Sequence, residues 1–232
     1  AEERLGKTDL DSGLDYGTIA ISKYRKSDGT NSWLVTIPGT DGKHDSPFGW
    51  PQNVELMSSD SKQRMEADSA RMVQEAMKQA GIKSNEPVAL IGHSQGGIVA
   101  ATIASDLKDD YDIEHVVTAG APVANHPIPE KTWVTSVEMD DELVAALDGA
   151  ANPSSDHWLT VRGTASKSSS NQESTFAGTP VTDAPDNKEI THWLKYHQAA
   201  YQNATDMGST AVNTHERHFD EIIDGDLQEV MY

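Results

Sequence analysis

Residues 92–97, Gly92-His93-Ser94-Gln95-Gly96-Gly97, set a serine between glycines two positions to either side. The apolar run Pro87-Val88-Ala89-Leu90-Ile91 leads into it, and Ile98, Val99, Ala101, Thr102, Ile103 and Ala104 follow. A short apolar run reads as a buried parallel strand, and the small-residue stretch as a helix able to lie flat on a sheet. At a strand–turn–helix junction this sharp, the serine must adopt strained backbone angles, and the glycines let strand and helix approach without a Cβ clash. Its hydroxyl is then presented for nucleophilic attack, the GxSxG elbow. Ser94 is the candidate nucleophile.

A serine hydroxyl attacks an acyl carbon only with a base to take its proton and a carboxylate to hold that base. Carboxylates cluster at Asp140-Asp141-Glu142, just after the predicted strand Thr132–Met139, with Asp148 further on. Nine histidines compete for the role of base. His192 follows the long loop 164–189 after the predicted strand Asp156–Gly163, and opens a predicted helix running towards Gln202. Standing at the mouth of the loop after the last predicted strand, His192 is preferred; His197 and His215 are the alternatives. His93 adjoins the nucleophile but points away from its oxygen, which makes it a packing residue. The intermediate's negative charge also needs donors, one following the nucleophile and one from an early strand-end loop. Gln95 and Thr40 backbone amides fit, the latter at the end of the predicted strand Ser32–Ile37 in Ile37-Pro38-Gly39-Thr40.

The segments that must position these groups alternate between strands and helices. Thr18–Tyr24 and Ser32–Ile37, joined by turn residues Ser27-Asp28-Gly29-Thr30-Asn31, predict an N-terminal antiparallel hairpin. Ser61–Gly81 predicts one long helix with Met65, Met72, Val73, Ala76, Met77 and Ala80 on its apolar face. Ile113–Ala119 predicts a further buried strand, and residues 207–232 two more helical segments. Between Ile37 and Ser61, Lys43–Ser59 carries Phe48 and Trp50 on a loop with no period, which reads either as a lid or acyl-binding wall beside the oxyanion strand or as the ordinary packing of a long connection.

Taken together, the chain resembles the α/β hydrolase superfamily, near the class 3 lipases and similar actinobacterial hydrolases. The resemblance rests on Ile37-Pro38-Gly39-Thr40, the Ser94 elbow, Glu142-Leu143-Val144-Ala145-Ala146-Leu147-Asp148-Gly149 and His192. It implies an α/β fold with a mainly parallel central sheet flanked by helices. The family's acid stands two residues before a valine, in a stretch resembling Asp-x-Val-Pro-x-Leu. Counting back from Val144 implies Glu142, with glutamate for aspartate and Ala145 for proline; Asp141 is the alternative one residue away. The implied activity is hydrolysis of a carboxylic ester, of lipid or acyl type. A thioesterase, amidase or acyltransferase would use the same triad, and a non-catalytic binding module could retain the scaffold.

Composition narrows the remaining classes. The 232 residues and 36% hydrophobic content suit a single hydrolase domain, although a chain starting at Ala1 also reads as a processed form or a piece of a longer protein. The net charge of −19 argues against nucleic acid and anionic membranes as partners. No cysteine is present, which excludes thiolate metal sites, cysteine nucleophiles and disulfides. No histidine pair shows a zinc pattern, and the chemistry calls for no cofactor or metal. Neither a signal peptide nor an integral membrane segment is expected.

Overall fold

A strand that alternates apolar residues to both faces needs cover on both sides, and that demand shapes this molecule. The structure, a computed structural model, describes residues 18–39, 53, 55–140, 142–164, 174–176, 179–181, 192 and 194–232. Seven strands form one sheet: β1 (Ala20–Arg25), β2 (Asn31–Ile37), β3 (Pro87–His93), β4 (Asp112–Ala119), β5 (Trp133–Met139), β6 (Trp158–Gly163) and β9 (Asp226–Met231). Their spatial order is β6-β5-β4-β3-β2-β1-β9. Strands β2 to β6 run parallel, with Val35 beside Leu90 and Leu90 beside Val116. The predicted hairpin is present as β1 antiparallel to β2, Ala20 opposite Thr36 and Arg25 opposite Asn31. A separate pair, β7 (Ser174–Phe176) and β8 (Thr179–Val181), lies within the long connection after β6.

Helices α1 (Ser61–Glu66), α2 (Asp68–Gln79) and α3 (Gln95–Asp106) cover one face of the sheet. Val35, Ile37, Val88, Leu90 and Val116 point into their shared core, joined by Val73, Met77, Val99 and Ile103. Residues one position out of phase, Leu34, Ala89 and Ile91, point the other way and meet Leu194, Phe219 and Ile222. Those three belong to α4 (Leu194–Asp206) and α5 (Thr210–Ile223), which cover the second face. The architecture is the α/β hydrolase arrangement expected from the sequence.

Two local expectations are corrected. The helix predicted over 61–81 is broken at Ala67, whose extended backbone (φ −58°, ψ 130°) ends α1 and lets α2 restart at a new angle. The break turns Arg64 inward, where its guanidinium grips Asp106 at the end of α3 through two bonds of 2.9 and 2.5 Å and also donates to the Ser58 carbonyl. Methionine and alanine periodicity continues across Ala67, so the sequence carries no mark of the bend. In the C-terminal stretch, a single helix, α5, is followed not by a second helix but by strand β9, antiparallel to β1. Its residues Asp226 to Glu229 are exposed, so backbone pairing rather than an apolar face makes it a strand.

Buried histidines join α5 to the sheet. His215 Nε2–H donates to the Asp156 carbonyl (3.1 Å), which leaves His215 Nδ1 to accept from the Thr135 hydroxyl at 3.1 Å. Thr135 in turn accepts from His115 Nε2–H at 2.8 Å, and His115 Nδ1 accepts from His218 Nδ1–H at 2.9 Å. One carbonyl thus fixes the tautomer of three rings, because a carbonyl can only accept. Burial, with His218 and His215 nearby, pushes His115 down to about 2. Burial and the Arg64 charge push His126 down to about 4, and His126 Nε2–H donates to the Leu56 carbonyl.

Both groups are neutral in the folded protein at pH 5 and protonated in the unfolded chain, whose histidines titrate near 6.5. Their contribution to stability is complete above about pH 6.5 and is lost as pH falls towards the folded values, by up to about 1.4 kcal/mol per pH unit for each group. Urea unfolding at pH 7.5 and pH 5 is expected to show this loss. His126→Gln, which keeps an N–H donor but does not titrate, is expected to reduce it.

Candidate active site

The elbow is built by close approach. A Cβ on Gly92 would lie 2.3 Å from the backbone of Gly96, and one on Gly96 would lie 2.3 Å from the Ile37 carbonyl oxygen. Real Cβ atoms do not make such contacts, so both positions require glycine. Between them Ser94 takes φ 53°, ψ −124°; it alone among the described non-glycine residues has a positive φ. Its N–H donates to the Ala119 carbonyl at 2.8 Å, and its carbonyl accepts from Gly97 and Ile98 at the start of α3. Strain at this turn is therefore held by bonds to β4 and α3 on either side.

Ser94, His192 and Glu142 come together at the C-terminal edge of the parallel strands. The Ser94 hydroxyl donates to His192 Nε2 over 2.8 Å, and His192 Nδ1–H donates to Glu142 Oε2 over 2.5 Å. The Glu142 side chain is fully buried, whereas that of His192 is 18% exposed. Burial opposes ionisation of Glu142. The bonds and charges of His192 and His197 outweigh it and hold the carboxyl down at about 2. At neutral pH the site holds a buried carboxylate facing two imidazoles.

The alternatives lie elsewhere. Asp140 faces Arg162 at 3.8 Å and accepts from Thr164. The Asp148 carboxylate accepts from the Ala124 amide in the loop after β4 and from the Ala150 amide, and so ties the two loops together. His215 belongs to the histidine chain under α5. Asp141, Thr40, Phe48 and Trp50 lie outside the described residues. Gly39, which precedes Thr40, is described: a Cβ there would sit 3.3 Å from Ser94 Cβ, so the end of β2 passes directly beside the nucleophile. Gln95 is the first residue of α3, fully buried, with its side chain donating to Asn53 at 3.0 Å.

Three further residues complete the surroundings. His93 is buried and donates through Nε2–H to the His192 carbonyl at 2.7 Å. It is thus more than packing, since it holds the main chain of the ring that meets Ser94. Burial first, then the charges of His197 and His192, push it down to about 3, so it is neutral. His197 places Nε2 3.6 Å from Glu142 Oε1. Gly120, at φ 58°, leaves room for both rings: a Cβ there would lie 2.8 Å from His197 Nε2 and 3.0 Å from His192 Nδ1. In the sequence Gly120 reads only as a strand terminator. Its role depends on two histidines more than seventy positions away.

A cavity of about 440 Å³ lies on the second face of the sheet, between α4 and α5, with Ile91, Val117, His197 and Phe219 among its walls. Neither Ser94 nor His192 lines it. In the loop after β5, Leu143 and Leu147 stand 80% and 60% exposed beside Glu142.

The chain belongs to the family described as PGAP1-like alpha/beta domain, whose model matches residues 53–176, more than half of its length. This is an α/β hydrolase-type family, so the superfamily expected from the elbow is the right one, while the match does not single out the class 3 lipases. No curated protein matches the chain. Among the described residues, no helix is long and apolar enough to cross a membrane.

Gly120→Ala is expected to lower stability by about 1–2 kcal/mol through its left-handed backbone. It is also expected to displace both imidazoles. Urea unfolding measures the first effect. Nitrogen-15 spectra of labelled histidine measure the second, with the His192 and His197 signals moving and those of His115, at the far end of β4, staying in place.

Proposed function

We propose, with membership of the PGAP1-like family as the premise, that this protein is a serine hydrolase cleaving carboxylic esters, with lipid or acyl esters as its substrates. The observation that carries the reading is the continuous Ser94–His192–Glu142 hydrogen-bond chain at 2.8 and 2.5 Å. Glu142 fixes the tautomer of the His192 imidazole, whose Nε2 accepts the Ser94 proton as Oγ attacks the acyl carbon, and it stabilises the imidazolium that forms. The Gln95 and Thr40 amides donate to the oxyanion, each supplying roughly 3 kcal/mol of transition-state stabilisation. His192 then returns the proton to the leaving alcohol, and the same ring activates the water that frees the acyl group. Exposed Leu143 and Leu147 beside Glu142 offer apolar surface to an acyl substrate. A surface of net charge −19 favours neutral over anionic substrates.

The test is fluorophosphonate labelling with peptide mapping, run beside hydrolysis of short and long acyl esters. Label is expected on Ser94. Ser94→Ala is expected to lose label and to lower kcat by at least about 10⁴-fold with the melting curve retained. Ester turnover undiminished in Ser94→Ala would overturn the assignment, and thioester and amide substrates in the same assay distinguish the other acyl transfers.

A further inference from the structure

Glutamate carries one more rotatable bond than aspartate, so a glutamate that must aim one oxygen at an imidazole needs a grip on the other. Glu142 sits at the start of a loop, not within a strand or helix, and its backbone makes a long 3.3 Å bond to the Met139 carbonyl. Oε2 meets His192. Oε1 is buried, and no described residue comes within hydrogen-bond distance of it. What faces it is His197 Nε2 at 3.6 Å, from the first turn of α4.

We infer that His197 is a positioning residue: its Nε2–H faces Glu142 Oε1 and fixes the carboxylate so that Oε2 keeps His192 aligned on Ser94. The inference rests on the hydrolase reading for its kinetic consequence, but not for its geometry.

Three observations converge on it. His197 is 1% exposed, so its contact with the carboxylate is shielded from water, where charge–dipole attraction is strong. Gly120 is open towards both rings, and any side chain there would push Nε2 of His197 and Nδ1 of His192 away from the carboxylate together. Finally, α4 starts at Leu194, so His197 is set by helix geometry while His192 lies in the turn before it. A helix fixes a side chain more tightly than a turn does, which makes His197 the firmer of the two anchors on Glu142. The His197 ring also stands edge-on to His93 and His192, at centroid distances of 5.7 and 6.3 Å, and the carboxylate it faces is Glu142.

The inference demands a particular tautomer. In the parent protein, nitrogen-15 spectra of labelled histidine are expected to show His197 protonated at Nε2; a bare Nε2 with the proton on Nδ1 would overturn the inference without any variant. A second measurement uses the strongly downfield proton expected between His192 Nδ1 and Glu142. His197→Phe keeps a ring but has no donor, and should shift or abolish that resonance. His197→Gln keeps an N–H and should retain it.

In ester hydrolysis, His197→Phe is expected to lower kcat by roughly 10- to 100-fold with KM unchanged, as misplacement of a catalytic group does. His197→Gln should recover most of that loss. Parental kcat and an unaltered resonance in His197→Phe, or equal defects in the two variants, would refute the role. If His197→Phe does not fold, the parental tautomer alone decides. Should the protein prove not to hydrolyse esters, the tautomer and the resonance still test the geometry, so failure of the hydrolase reading is distinguishable from failure of this one.

Discussion

Among the described residues, the closest constraint is the approach of β3 to α3 across Gly92, Gly96 and Gly97. With a carbonyl of β2 also 2.3 Å from where a Gly96 Cβ would stand, three segments meet in a space that admits no side chain. The chain can turn there only by forcing one residue into a positive φ, and that residue is Ser94. Such a conformation costs of order 1–3 kcal/mol and persists only where its surroundings over-determine it. Here the surroundings are the Ser94 amide bond to Ala119 and the first turn of α3. The sheet order follows from the same junction: β3 must be central, flanked by β2 and β4, for both neighbours to reach the turn.

A second constraint is electrostatic. A carboxylate buried as deeply as Glu142 is costly unless paired, and the fold pairs it with two imidazoles from one region of the chain, His192 and His197. The third ring, His93, is kept neutral by burial and spends its N–H on the His192 main chain. The polar network around the Glu142 carboxylate is therefore ordered by one acceptor that cannot donate. The same logic operates at the other end of the sheet, where the Asp156 carbonyl sets the tautomers of His215, His115 and His218. Five of the nine histidines are thus structural or orienting residues in these two networks, besides His192 itself.

Parallel strands, the N-terminal hairpin and the helix after the elbow were legible because their signals are local. Apolar runs of strand length, turn residues at 27–31 and small residues after Ser94 need no knowledge of what they pack against. The bend at Ala67 was not legible, since Met65 to Met77 keep a helical period across it, while Asp106, which Arg64 grips beside the bend, is 42 positions from Arg64. Strand β9 was missed for a related reason. Its exposed residues carry no strand pattern of their own, and only pairing with β1 makes it one. His93 shows the same limit: from sequence its orientation away from Ser94 could be read, but not that its far nitrogen meets a carbonyl ninety-nine positions on.

By itself, then, the amino-acid sequence determined the fold class, the elbow and the small set of residues from which a site could be drawn, because glycine spacing and apolar periodicity act within a few residues of each other. It left Asp140, Asp141, Glu142 and Asp148 in competition for one carboxylate, and His192, His197 and His215 for one imidazole. Tertiary structure decided that Glu142 meets His192, that Asp140 turns to Arg162, that Asp148 binds the loop after β4 and that His215 belongs to another network. It also decided that Gly120 must lack a side chain. Choices of that kind depend on which oxygen, ring nitrogen or empty volume lies within about 3 Å in space, the range over which hydrogen bonds and steric exclusion act. Residue type and spacing along the chain do not encode that distance.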